Sequence, residues 1–392
     1  MKRKRASVGP SLDDADETAD AVALFKAIVA FNNEPLRAVR AVHAARRACD
    51  WEFAARLEAQ ACGVGEVERT VEESVAWRLL SLAGASAAQQ LAAALRSARR
   101  IADTLPRPGS TIVRAGMHER LRIGYLSGDF FSHPVAHLMV GVIEQHDRAR
   151  FEIIGYDFSP PGDDDYRRRF AAAFDRIVPI IGMEDQEAAE VVVRDEVDVL
   201  VDLAGWTKRA RPALLAARPA PVQVQWLGYP GTLGAPWIDY IVADHVLIRP
   251  QDEPHFSEKI VRLPHSYQAN DDKRVTATTQ GRRTYGLAED AFVFCSFNGV
   301  FKLTPEVFDC WLRLLRAVDR SVLWLLQPEH IAARALVARM MGEGLDPARL
   351  IFARWWSHRS IVRALRKLIL RLIRFLMDLT RPRAMPCGRG FR

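Results

Sequence analysis

The chain has 392 residues, of which 49% are hydrophobic and 26% charged, and it carries a net charge of +7. That length holds two or three domains with cores of their own, and the composition excludes a disordered or fibrous protein. Ten Lys/Arg against one Asp fall in Arg359–Arg392, so the basicity belongs to the tail and no basic stripe marks the body as a nucleic-acid binder.

The five cysteines, Cys49, Cys62, Cys295, Cys310 and Cys387, are widely spaced and form no C-x-x-C pair. This is neither a disulfide framework nor a zinc site, and it suits a cytoplasmic location. The opening MKRKRASVGP is basic but lacks a following apolar segment, and no uncharged apolar stretch reaches the length of a bilayer span. Neither a signal peptide nor a membrane partner is expected.

Residues 1–20 are polar, with acidic residues clustered at Asp13–Asp20, and read as a disordered lead-in. Residues 21–107 are Ala-rich, with apolar positions at three-to-four spacing. The pattern predicts helices at Ala21–Asn32, Pro35–Arg47, Trp51–Cys62, Val67–Leu82 and Ala87–Thr104, a TPR-like region without a clean internal period. Pro106–Ser110 marks a boundary.

Short apolar runs then alternate with helical stretches. Strands are predicted at Arg122–Leu126, Glu152–Asp157, Val197–Leu203, Val222–Leu227 and Tyr240–Ala243. The helices between them are Val135–Gln145, Asp164–Phe174, Gln186–Asp195 and Arg211–Ala217. A second series follows: Phe292–Phe297, Val307–Ala317, Val322–Leu326, Ile331–Glu343 and Leu350–Ala353. Apolar strands separated by helices imply parallel sheets covered on both faces. The fold class is α/β: a GT-B-like pair of doubly wound Rossmann-type lobes, residues 117–280 and an incomplete 284–357, behind an all-α region. In such folds ligands bind at the carboxyl ends of the strands.

Candidate chemistry gathers at those ends. His133 follows the first strand of the first lobe, with Pro134 suited to the first helical turn. It reads either as a general base or sugar ligand, or as a capping histidine. His133 and His137 stand four apart, but no third ligand has zinc spacing, and Asp163–Asp165 reads as an acidic helix cap despite its D-x-D spelling. Pro221–Asp244 places a Gly-Pro-Gly turn after a buried strand, where glycine lets backbone approach a ligand. Lys302 precedes a helix opening at Thr304-Pro305. It can meet a pyrophosphate there, although a solvated loop lysine fits the local composition as well.

Taken together, SGDFFSHPVAHLM, VDLAGWTKRARPALLAARPAPVQVQWLGYPGTLGAPWIDYIVAD, FSEKIVRLPH and YGLAEDAFVFCSFNGVFKLTPEVF resemble the protein O-GlcNAc transferase family, SPINDLY-like and bacterial members included. CDWEFAARL and VAWRLLSL are similar to the region that precedes the catalytic lobes in bacterial members. The resemblance implies inverting, metal-independent transfer of N-acetylglucosamine from UDP-GlcNAc to Ser/Thr hydroxyls of protein acceptors, with no cofactor. It gives His133 the role of the active-site histidine and Lys302 that of the lysine stabilising the departing diphosphate. It implies substrate binding by Asp129, His137, Thr207, Gly228, Tyr229, Pro230, Gly231, Thr232 and Asn298. Gly299 stands where the family has an amide side chain, and Phe301 where it has a tyrosine.

From His358 the resemblance stops. Residues 358–392 read naively as a cationic amphipathic helix, Ile361–Leu379, with Arg363, Arg366, Lys367, Arg371 and Arg374 along one face. Shifted by one base, the same codons permit DTFPYGPHTTASDALWAGLP from Leu372 onward, the segment the family carries, and a histidine at Ser360/Ile361. The expectation is a frameshift near His358–Ser360 and impaired turnover in this chain, with a non-catalytic protein-binding scaffold, or a transferase using another sugar nucleotide, as the alternatives.

Overall fold

The computed structural model describes residues 35–62, 75–80, 82, 84–105, 118–274 and 281–353. The predicted lead-in, the helix predicted at Ala21–Asn32, the first part of the predicted Val67–Leu82 and the basic tail with the frameshift expected there lie outside these residues. Contacts divide the described chain into two units, one of Asn32–Arg40 and Arg56–Arg274, the other of Ala41–Ala55 and the chain after Arg274.

The helical segment forms α1 (Pro35–Arg47), α2 (Trp51–Cys62), α3 (Val75–Leu79) and α4 (Ala87–Thr104). A capping box fixes the start of α4: Ser86 Oγ accepts the Gln89 N–H while the Gln89 side chain accepts the Ser86 N–H. The buried face of α4 is Ala93, Ala94, Ser97 and Ala98, small enough for backbone to come close. Gly234 uses that room. It has φ +60°, and a Cβ there would lie 2.4 Å from the Leu95 nitrogen.

The first lobe is a seven-stranded parallel sheet: β1 (Leu121–Ser127), β2 (Phe151–Asp157), β3 (Arg176–Pro179), β4 (Val199–Asp202), β5 (Val222–Gln225), β6 (Tyr240–Ala243) and β7 (Lys259–Arg262). Its order is β3-β2-β1-β4-β5-β6-β7. β3 and β7, which the apolar-run criterion misses, are the two edges. They are four residues long with no buried position, so they lack the apolar run of an interior strand. Between strands run α5 (Pro134–Glu144), α6 (Asp165–Ala173), α7 (Asp185–Arg194) and α8 (Pro212–Ala216). Asp164 caps α6 by accepting the Tyr166 and Arg167 N–H groups, so the D-x-D spelling is a helix start. The core under α5 and α6 joins Met139, Val140 and Ile143 to Ile153, Phe170 and Phe174.

The second unit contains a parallel sheet in the order β10-β9-β8, built from β8 (Phe292–Ser296), β9 (Ser321–Leu326) and β10 (Leu350–Ala353). It is flanked by α9 (Pro305–Ala317) and α10 (His330–Gly342). Thr304 caps α9 by accepting the Val307 N–H, and Pro305 occupies the first turn. Its core joins Phe308, Leu312, Leu323, Leu325 and Leu336 to Cys49.

Candidate active site

In the first lobe the sheet order reverses direction between β1 and β4, which opens a crevice beyond their carboxyl ends. The chain leaving β1 is anchored there by Phe130, 2% exposed, whose N–H donates to Ser159 Oγ at 2.9 Å. His133 then caps α5, its Nδ1 accepting the Val135 N–H at 3.3 Å. Asp129 Oδ2 lies 3.4 Å from that same Nδ1, and Asp129 Oδ1 accepts Arg209 Nη2 at 3.0 Å. Burial pushes the His133 pKa below the ordinary histidine value; the Asp129 charge opposes this and Arg209 adds to it. A neutral ring whose Nδ1 accepts a bond carries its proton on Nε2. His133 is half-buried at this edge, with the Val135 N–H and the Asp129 carboxylate both facing its Nδ1.

His137 takes a different position. It is 4% exposed, its ring centroid lies 4.4 Å from that of Tyr166, and its Nε2 is 3.4 Å from Ser132 Oγ. Among the described residues no group of three or more His, Cys, Asp or Glu is arranged to hold a metal ion.

Beyond β4, Asp202 is buried and accepts the Ala204 and Gly205 N–H groups at 3.0 and 2.8 Å, which folds the chain into a tight turn. Burial raises the Asp202 pKa to about 6, the two bonds only partly opposing it. Thr207 Oγ1 closes the turn by donating to the Ala204 carbonyl at 2.7 Å. Arg209, two residues on, has φ +68°.

The Gly228–Thr232 turn lies beside it. A Cβ on Gly228 would sit 2.0 Å from the Leu203 carbonyl oxygen, so only glycine permits this approach. Gln225 Nε2 donates to the Tyr229 and Gly231 carbonyls at 2.6 and 2.9 Å. Thr232 Oγ1 donates to Glu258 Oε2 at 2.8 Å, and the Leu233 N–H donates to Glu258 Oε1 at 2.6 Å. Tyr229 and Thr232 are 2% and 3% exposed, so their side chains hold the turn. Gly228 and Pro230 are its half-buried positions, and the turn offers backbone there.

The second unit contains a cavity of about 210 Å³ at the carboxyl ends of β8 and β9. Ser296, Asn298, Gly299 and Lys302 supply its polar and backbone lining, and Trp311 and Leu336 are among its apolar walls. Lys302 ends a single 3₁₀ turn, Val300–Lys302, just before the capped start of α9. Its Nζ lies 5.9 Å from the Phe301 ring centroid. An ammonium beside a helix N-terminus is an arrangement that attracts phosphate oxygens. Asn298 and Lys302 are thus brought to one cavity, and Asp129 and His133 to one cluster. Arg209, the partner of Asp129, was not singled out by the sequence, since 80 residues separate the two.

The model of glycosyl transferase family 41 matches residues 109–280 and 269–367 of the chain. The chain belongs to this family of glycosyltransferases. It is 36% identical over 250 residues to a probable UDP-N-acetylglucosamine–peptide N-acetylglucosaminyltransferase SEC of Arabidopsis thaliana, covering 62% of this chain and 26% of that protein. It is 26% identical over 348 residues to the UDP-N-acetylglucosamine–peptide N-acetylglucosaminyltransferase of Caenorhabditis elegans, covering 60% of this chain and 30% of the relative. The chain thus spans under a third of the length of these relatives. Among solved structures it is similar to a lysine-to-methionine mutant of the O-GlcNAc transferase of Thermobaculum terrenum, with a TM-score of 0.71 and 29% identity. That match covers 89% of this chain and 66% of the other. The pair of Rossmann-type lobes is the GT-B-like architecture. No helix among the described residues is long and apolar enough to cross a membrane.

Proposed function

We propose that the chain carries the catalytic region of a UDP-GlcNAc-dependent transferase that moves N-acetylglucosamine, with inversion, to Ser/Thr hydroxyls of protein acceptors. The observation that carries this reading is the cavity holding Asn298 and Lys302 beside the α9 N-terminus, in a chain of a glycosyltransferase family. The acceptor oxygen forms a bond to the anomeric carbon as the bond from that carbon to the phosphate oxygen breaks, and the hydroxyl proton passes to an oxygen of the departing diphosphate. The charge that grows on UDP is met by Lys302 and the positive end of the α9 dipole. His133 serves as a hydrogen-bond donor through Nε2, orienting the sugar or acceptor, because the Val135 N–H occupies Nδ1. Asp129 and Arg209 hold that ring's surroundings.

Calorimetry of the full chain with UDP and UDP-GlcNAc tests the reading. Binding of both, with UDP-GlcNAc turnover onto a protein acceptor lowered about 10²–10³-fold in Lys302→Ala, is the expected result. Binding of neither would refute it in favour of a protein-binding scaffold. Preference for another nucleotide would refute the donor assignment.

A further inference from the structure

Lys302 sits on a turn with little support of its own. Two backbone bonds hold it, from the Lys302 N–H to the Gly299 carbonyl at 3.0 Å and from the Leu303 N–H to the Val300 carbonyl at 2.9 Å. A 3₁₀ turn this short has poor hydrogen-bond geometry and does not persist unaided. The third restraint comes from elsewhere in the sequence. The indole Nε1–H of Trp51, the first residue of α2, donates to the Leu303 carbonyl at 3.1 Å. The Trp51 ring lies 5.8 Å from Phe308 in the second turn of α9, and Cys49 shares a core cluster with Leu303, Phe308 and Leu312. Asp50 secures the start of α2 by accepting the Phe53 N–H at 3.2 Å.

The structure assigns Trp51 as a positioning residue for Lys302: its indole N–H fixes the carbonyl next to the lysine, and so aims the ammonium into the cavity. The helical segment Ala41–Ala55 thereby stands behind the cavity lining and supports the turn that carries Lys302 and Leu303. This rests on the reading of Lys302 as the diphosphate-binding lysine. A phenylalanine keeps an aromatic ring facing Phe308 and removes the donor together with the indole's second ring, a loss of packing that the β8 and β9 amides would report.

The test uses the full chain and Trp51→Phe, followed by hydrogen exchange at single residues and by UDP titration. The expected result is about tenfold faster exchange of the Lys302 and Leu303 amides, with β8 and β9 unchanged and UDP affinity lowered roughly three- to tenfold. Unchanged exchange at those two amides overturns the assignment. So does an equal rise across β8 and β9, which marks a general loss of packing, or an unchanged UDP affinity beside faster exchange. A measurement on the parent chain is independent of how the variant folds. The Trp51 indole N–H must exchange more slowly than that of free N-acetyltryptophanamide, and equal rates would overturn the bond itself. A parent that binds no UDP while the exchange results hold refutes the proposed function, and the positioning of Lys302 for a diphosphate with it, and leaves only the Trp51–Leu303 bond standing.

Discussion

Gly228→Ala is the sharpest test of how the loops at the first lobe's crevice are built. The added Cβ would lie 2.0 Å from the Leu203 carbonyl oxygen and 3.1 Å from its carbon, where ordinary contact begins at 3.4 Å. Relief needs a movement of more than about 1 Å by one of two backbone segments, and both are tied down. The Leu203 N–H donates to the Leu126 carbonyl of β1 at 3.1 Å. The Gly228 N–H donates to the Trp226 carbonyl at 3.0 Å, and the Trp226 N–H to the Asp202 carbonyl at 3.0 Å. The cost belongs at the top of the overpacking range, about 3 kcal/mol. For a lobe of this size that lowers the melting temperature by about 6–12 °C, read by circular dichroism. Gly182→Ala is the control: Gly182 has φ +81° but nothing within 4 Å of a Cβ, so only backbone strain of about 1 kcal/mol applies. Melting of Gly228→Ala at the parent's temperature, or greater damage from Gly182→Ala, would refute the argument that close backbone approach fixes this residue.

Asp202, its pKa raised from 3.8 to about 6 by burial, binds more protons folded than unfolded between those values. Its contribution therefore falls as pH rises through that window, by about 3 kcal/mol at neutral pH. Urea midpoints at pH 4.5 and 7 should show about 2 kcal/mol of this loss in the parent and a flatter profile in Asp202→Asn. His118 has a pKa raised first by its hydrogen bond to Glu196 at 3.0 Å and then by the one to Asp198 at 3.1 Å, with Arg122 opposing. Its stabilisation is complete below the unfolded value near 6.5 and fades as pH rises through the raised folded value. The stability gap between the parent and His118→Gln should shrink from pH 6 to pH 9; a gap that widens would contradict it.

Interior strands and long helices were legible because each carries its signal locally. The predicted spans Pro35–Arg47, Trp51–Cys62 and Ala87–Thr104 coincide with the observed helices, since helical spacing and terminal residues lie within each segment. The run at Val199–Val201 is apolar because β4 is an interior strand, whereas β5 reads Val-Gln-Val-Gln and buries Gln223 and Gln225. The edge strands β3 and β7 lack that burial and escaped notice. Site residues divide in the same way. The place of Lys302 before a capped helix was readable, because Thr304 and Pro305 are its neighbours. The bonds that organise the sites join Asp129 to Arg209, Thr232 to Glu258 and Trp51 to Leu303, across 80, 26 and 252 residues. No local spacing encodes such pairs.

The Thr232–Glu258 pair also explains why a turn rich in glycine need not be loose. Glu258 is buried, and burial raises its pKa against the hydrogen bonds it accepts. An apolar residue in its place would avoid that desolvation but would leave the Leu233 N–H and the Thr232 hydroxyl without this acceptor. On the other side of the turn, Gln225 holds two carbonyls in the same manner. Polar groups buried beneath the turn thus fix a backbone that Gly228 leaves free of side-chain cover. A ligand meeting that backbone finds groups already aligned, with little reorganisation left to oppose binding. Stability given up to desolvate one carboxylate is, on this argument, what keeps the turn in a single shape.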